Sequence, residues 1–145
     1  MTKSDSRLAT LLVAWYGVYQ AAHILFNSLY FAGVITSFPP GPPGGWTQQA
    51  LDFFTGMAAI GLINALLSLL FVVGYFQRRA WSLWLGAVTL TVALWAMALF
   101  SYGTLAGGAW PGNLIGYLWI YLPFIPVVVP FAMVSVWAMQ KTNRV

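Results

Sequence analysis

The sequence predicts an all-α membrane protein: a bundle of four transmembrane helices arranged as two antiparallel hairpins, with both ends in the cytoplasm. Three observations carry this. Of 145 residues, 61% are hydrophobic and only 6% are charged, against about 25% charged residues in soluble domains. The charges are confined to short segments: Lys3, Asp5 and Arg7, then Asp52 alone, then Arg78 and Arg79, then Lys141 and Arg144. Between these segments lie continuous apolar runs, each long enough to supply the roughly 20 helical residues that cross a bilayer. They lack the strict alternation of a barrel strand.

The first helix is expected over 8–35. Its apolar stretch is far longer than the core of a cleavable signal, so it is read as a retained span. The segment 36–46 reads Ser37-Phe38-Pro39-Pro40-Gly41-Pro42-Pro43-Gly44-Gly45-Trp46. Its prolines fix φ and favour polyproline II, and the glycine pair permits a sharp return, so it reads as a stiff strap. The second helix is expected over 47–76, with Thr47 as its N-cap. Gln77-Arg78-Arg79-Ala80 makes a tight turn into a third helix over 81–102. The fourth, over 113–139, contains Pro123, Pro126 and Pro130. Each proline removes a backbone donor and presses on the preceding turn, so a kink near the midplane is expected. A shift of 64 residues aligns Ser37 with Ser101, Gly44 with Gly108 and Trp46 with Trp110. It is either a weak hairpin repeat or a coincidence of two Gly/Trp-rich turns.

Orientation follows from the basic residues. All six lie in the N-terminal tail, the 77–80 turn or the C-terminal tail, and none lies in 36–46 or 103–112. Both termini are therefore expected in the cytoplasm, across a plasma membrane of bacterial type. A sequence pI near 9.7 then reflects topology, and no nucleic-acid partner is expected. The chain has no cysteine, which excludes disulfides, thiolate chemistry and iron–sulfur ligation. Of eight tryptophans, Trp15, Trp81, Trp84 and Trp137 fall at one membrane border and Trp46 and Trp110 at the other, as aromatic belts do. Trp95 and Trp119 lie deeper, where core packing is the expectation.

The first helix carries a narrow polar stripe. Tyr16, Gln20, His23, Asn27 and Tyr30 are spaced by four, three, four and three, an arc of roughly 80° on one face. His23 is the one histidine of the chain and falls near the middle of a span, where a polar side chain needs a partner or a task. Asn64 falls at the same depth on the antiparallel second helix. There Gly61, Asn64, Ala65 and Ser68 form a small, polar face suited to close packing. On the structural reading, Gln20, His23 and Asn27 bond to Asn64, Ser68 or backbone carbonyls, each bond contributing about 0.6 kcal/mol and at most about 1.7. On the ligand reading, His23 contacts something the chain does not contain. A neutral imidazole ligates the metal of a haem or chlorophyll-type pigment, or hydrogen-bonds a quinone carbonyl or a sterol hydroxyl. Gln20, Asn27 and Asn64 would then complete the binding set. Asp52, early in the second helix, is expected to gain about 0.3–1 kcal/mol from the helix dipole. The alternative is a proton or cation entry site beside Tyr30 and Gln49.

No second acid falls within a span, and no metalloprotease, nucleophile-elbow or phosphate-loop motif is present. Catalysis is therefore not the leading expectation. Two function classes follow. One is an accessory or structural subunit of a larger membrane complex, of electron-transfer or photosynthetic type, whose partners are lipids and other membrane subunits or itself. The other is a stand-alone binder or carrier of a quinone, sterol, carotenoid or tetrapyrrole, in a pocket between helices one, two and four.

Overall fold

The structure, a computed structural model, describes residues 3–36, 39, 41–109, 122 and 125–142, with side chains for 7–36, 39, 41–109, 122 and 125–133. Among the described residues four helices are formed: α1 (Lys3–Phe31), α2 (Gln48–Phe76), α3 (Ala80–Ala106) and α4 (Ile125–Thr142). Among the described residues there is no strand. Three stretches, Arg7–Phe31, Gln48–Phe76 and Ala80–Ala106, are long and apolar enough to cross a membrane. The first half of the expected fourth span lies outside the described residues, and so do Trp110, Tyr117, Trp119, Tyr121 and Pro123. From Ile125 the chain is helical through Pro130, which leaves the Pro126 carbonyl without its helical donor.

The first three helices end in the same way, and this sets their lengths. At the end of α1, Gly33 N–H donates to Tyr30 O (3.0 Å) and Val34 N–H to Leu29 O (3.0 Å). At the end of α3, Gly108 donates to Leu105 O (3.2 Å) and Ala109 to Thr104 O (2.9 Å). This is the Schellman arrangement, which puts a left-handed residue just past the helix. Gly33 and Gly108 take that position at φ 72° and 70°. The α1 end therefore falls short of the expected 35, because Gly33 stops the helix. The α3 end runs past the expected 102, because Gly103 is held inside the helix.

At the end of α2 the same two bonds form, Arg78 N–H to Tyr75 O (3.0 Å) and Arg79 N–H to Gly74 O (2.9 Å). Here the left-handed residue is Arg78, at φ 57°. It is the one non-glycine with positive φ among the described residues, and a side chain there costs about 1–2 kcal/mol. At the other end of α2, Thr47 caps the helix as expected, its hydroxyl accepting from Ala50 N–H at 3.3 Å.

α2 packs against both α1 and α3, and α4 packs against α3 and α1. The shared core is Val13 and Tyr16 of α1, Phe71 of α2, Leu90 of α3 and Val127 of α4. Lipid tails are as apolar as these side chains, so the core holds through close fit more than through exclusion of water. The fit is tight where Phe71 lies against Gly86: a Cβ on Gly86 would sit 2.6 Å from the Phe71 ring.

Two sequence expectations are corrected. Trp95 is 67% exposed, so it faces outward on α3 and does not pack in the core. Asp52 is the fifth residue of α2, beyond the first turn where the dipole acts. Its carboxylate instead accepts from Gln48 Nε2 at 2.8 Å, while Tyr30 pairs with Thr55 (3.1 Å).

Candidate functional site: the polar seam between α1 and α2

α2 presents two buried rows. Gly61, Ala65 and Ser68 face α1, and Asn64, Phe71 and Gly74 face α3. The rows differ by one residue in helical register, enough to swing a side chain by about 100°. The sequence places Asn64 among partners for His23. The structure sends it the other way: Asn64 Nδ2 donates to the Thr89 carbonyl of α3 at 3.1 Å. Thr89 is thus a partner that sequence reasoning missed. The available signal was the seven-residue spacing of Asn64 and Phe71, which puts both on one face.

The α1 stripe does turn to α2. Tyr16, Gln20 and Asn27 are buried, and His23 and Tyr30 are half-buried. Tyr16 takes Ser68, hydroxyl to hydroxyl at 2.8 Å. That bond pins the register one turn from the hydrophobic core, where the Tyr16 ring also meets Phe71. Asn64 and Ser68 thus bond to Thr89 and Tyr16, and not to Gln20, His23 or Asn27 as expected.

What remains is a polar patch with unmet capacity. Gln20 is 1% exposed and Asn27 4% exposed. Gln20 Oε1 and Asn27 Nδ2 are sealed from solvent with no hydrogen-bond partner among the described residues. Seven residues separate them, about 10 Å along the helix, and His23 lies between. Its ring leans on α2 at Gly61: a Cβ there would stand 3.3 Å from His23 Cε1, His23 Nε2 and Asn27 Nδ2. Glycine thus makes the slot into which the imidazole edge and the Asn27 amide fit. Tyr19 closes the other side, ring to ring at 5.9 Å.

Chemically the patch offers an imidazole with its Nε2 edge turned into the seam, one unpaired acceptor and one unpaired donor. Among the described residues no group of three or more His, Cys, Asp or Glu is placed to hold a metal ion. A macrocycle bound through Nε2 would require the seam at Gly61 to open. A quinone carbonyl or a hydroxyl needs only a donor or an acceptor beside the ring.

The opposite face of α1 is apolar and uncovered. Leu11, Val18 and Leu25 are 67%, 61% and 62% exposed, and Ala14, Ala21 and Ser28, equally spaced between them, are exposed as well. The spacing alternates three and four, with a large residue and a small one each recurring every seven. The chain matches no protein-family model, no curated protein and no solved structure.

Proposed function

We propose that this is a small non-catalytic integral membrane protein that serves as an accessory or structural subunit of a larger membrane assembly. Its setting is a plasma membrane of bacterial type, its fourth span covers 113–139 and both termini are cytoplasmic. The observation that supports this most directly is the outer face of α1. A seven-residue repeat is the signature of left-handed helix pairing. Small residues let a partner backbone come close, and the large ones between them fill its grooves. A side chain facing only lipid has no reason to keep that alternation. The partner is a transmembrane helix of another subunit or of a second copy.

Cross-linking tests this directly, because the natural chain has no cysteine. Single cysteines at Ala14, Ala21 and Ser28 should give disulfide or bis-maleimide adducts in native membranes, and a cysteine at Val88 should not. The mass of the adduct names the partner class. A homogeneous monomer with no adduct at any of the three positions overturns the proposal.

A second reading is supported by the unpaired Gln20 Oε1 and Asn27 Nδ2 on either side of His23. The protein would bind or carry a lipophilic molecule with a polar head, such as a quinone, sterol, carotenoid or tetrapyrrole, between helices one, two and four. An absorption spectrum and mass spectrometry of natively purified protein would reveal it. Unchanged bound material and unchanged thermal stability in His23→Ala would count against it.

A further inference from the structure

The geometry points to a binding site for one anionic phospholipid at the α2–α3 turn, with its phosphate on Arg78 and Arg79 and an acyl chain in the groove beneath them. The site stands apart from the α1 face and the His23 seam, and does not depend on either reading above.

The groove is open and wholly apolar in character, lined by Leu70, Trp81, Trp84, Leu85 and Val88, with a volume of about 560 Å³. Its α3 wall is built at helical spacing, since residues 81, 84, 85 and 88 share one face. Its α2 wall depends on close approach. A Cβ on Gly74 would stand 2.6 Å from Trp81 Cη2 and 2.9 Å from Ser82 Cβ, so only glycine lets the Trp81 indole lie down on α2. From Trp81 to Val88 the wall descends about 10 Å into the membrane, the direction an acyl chain takes from its head group.

The occupant is argued from charge. Arg78 and Arg79 lie in the turn three and two residues before Trp81, at the end of the α2–α3 pair from which the groove runs down, and both are exposed. Among the described residues neither has a carboxylate partner. Arg79 makes one long bond, Nε to Gln77 Oε1 at 3.5 Å, which leaves the forked end of its guanidinium for another acceptor. Arg78 is held in the left-handed conformation at φ 57°, where glycine ends α1 and α3. Strain of this kind is kept where a side chain is needed at that place. Two guanidiniums above an apolar slot flanked by indoles complement a phosphodiester joined to a hydrocarbon chain.

The test is fluorescence quenching in vesicles of phosphatidylcholine doped with brominated phosphatidylglycerol or, at equal mole fraction, brominated phosphatidylcholine. The quenching that Trp84 contributes is the difference between the wild-type chain and Trp84→Phe. That contribution should be larger with the brominated anionic lipid. The preference should fall about fivefold for each arginine removed in Arg78→Gly and Arg79→Gln, as expected for an interfacial cation. Arg78→Gly keeps the turn, because glycine is at ease at that φ, so loss of preference in that variant does not reflect misfolding. Equal quenching of Trp84 by the two lipids overturns the site. So does a preference that survives removal of both arginines.

Discussion

The two seams of α2 are built on different terms. Towards α3 every element is matched: Phe71 fills the space over Gly86, Asn64 donates to the Thr89 carbonyl, and Leu90 and Thr89 are fully buried. Towards α1 the packing is less tight, a Cβ on Gly61 or Gly17 meeting its neighbours at 3.3 and 3.1 Å, and the polar groups outnumber their partners. Tyr16 and Ser68 pair, while Gln20 Oε1 and Asn27 Nδ2 are sealed without partners. In a membrane interior an unmet amide is expensive. The described buried polar groups of the α2–α3 seam are paired, whereas two atoms of the α1–α2 seam are left unpaired at a cost in stability. The two seams therefore differ in how fully their buried polar groups are paired.

Substitutions at the matched seam should produce the largest effects. Phe71→Ala removes a side chain that is 1% exposed at the meeting of the helices, and should destabilise by about 3–5 kcal/mol. Steric-trap or denaturant unfolding in mild detergent would measure it. Gly86→Ala pushes a Cβ into the Phe71 ring and should cost about 1–3 kcal/mol, largely relieved by pairing it with Phe71→Leu. The double-mutant cycle reports the coupling.

A pair of substitutions with opposite signs sharpens the contrast. Asn64→Leu breaks the bond to Thr89 and should destabilise by about 0.6–1.7 kcal/mol. Gln20→Leu deletes an unsatisfied buried acceptor, and should be neutral or stabilising by about 1 kcal/mol. If both destabilise equally, the two seams do not differ in the way described. The smallest effect belongs to Tyr16→Phe, at about 0.6 kcal/mol. It should shrink in a Ser68→Ala background, since the bond to Ser68 is then already gone.

Much of this was legible in the residues. The three spans follow from apolar runs bounded by charge, and the burial of Tyr16, Gln20 and Asn27 follows from their spacing. Gly61, Ala65 and Ser68 were recognisable as the surface they meet. What could not be read is which neighbour each polar group takes. Asn64 is one step of helical register from the α1 row, and composition does not say whether it turns left or right. Helix ends were misjudged where glycine plays two parts: Gly33 stops α1 in a left-handed turn, whereas Gly103 sits within α3. Trp95 looked like core because it lies deep in the span. Depth and direction are independent on a helix, and an indole in the middle of a span packs outward as readily as inward.

The strap between α1 and α2 has a consequence for assembly. Trp46 donates its indole N–H to the Pro39 carbonyl at 2.7 Å, Gly45 N–H closes a turn on Pro42 O at 2.9 Å, and the Trp46 ring stands edge-on to Phe54 at 5.0 Å. The connection is knotted onto the start of α2 by contacts close in sequence, which form early and at little entropic expense. The Trp46 ring also lies against Gly107 at the end of α3, so one indole ties the strap to both α2 and α3. Trp46→Ala should unclasp it, and protease cleavage between the first two helices would report the change.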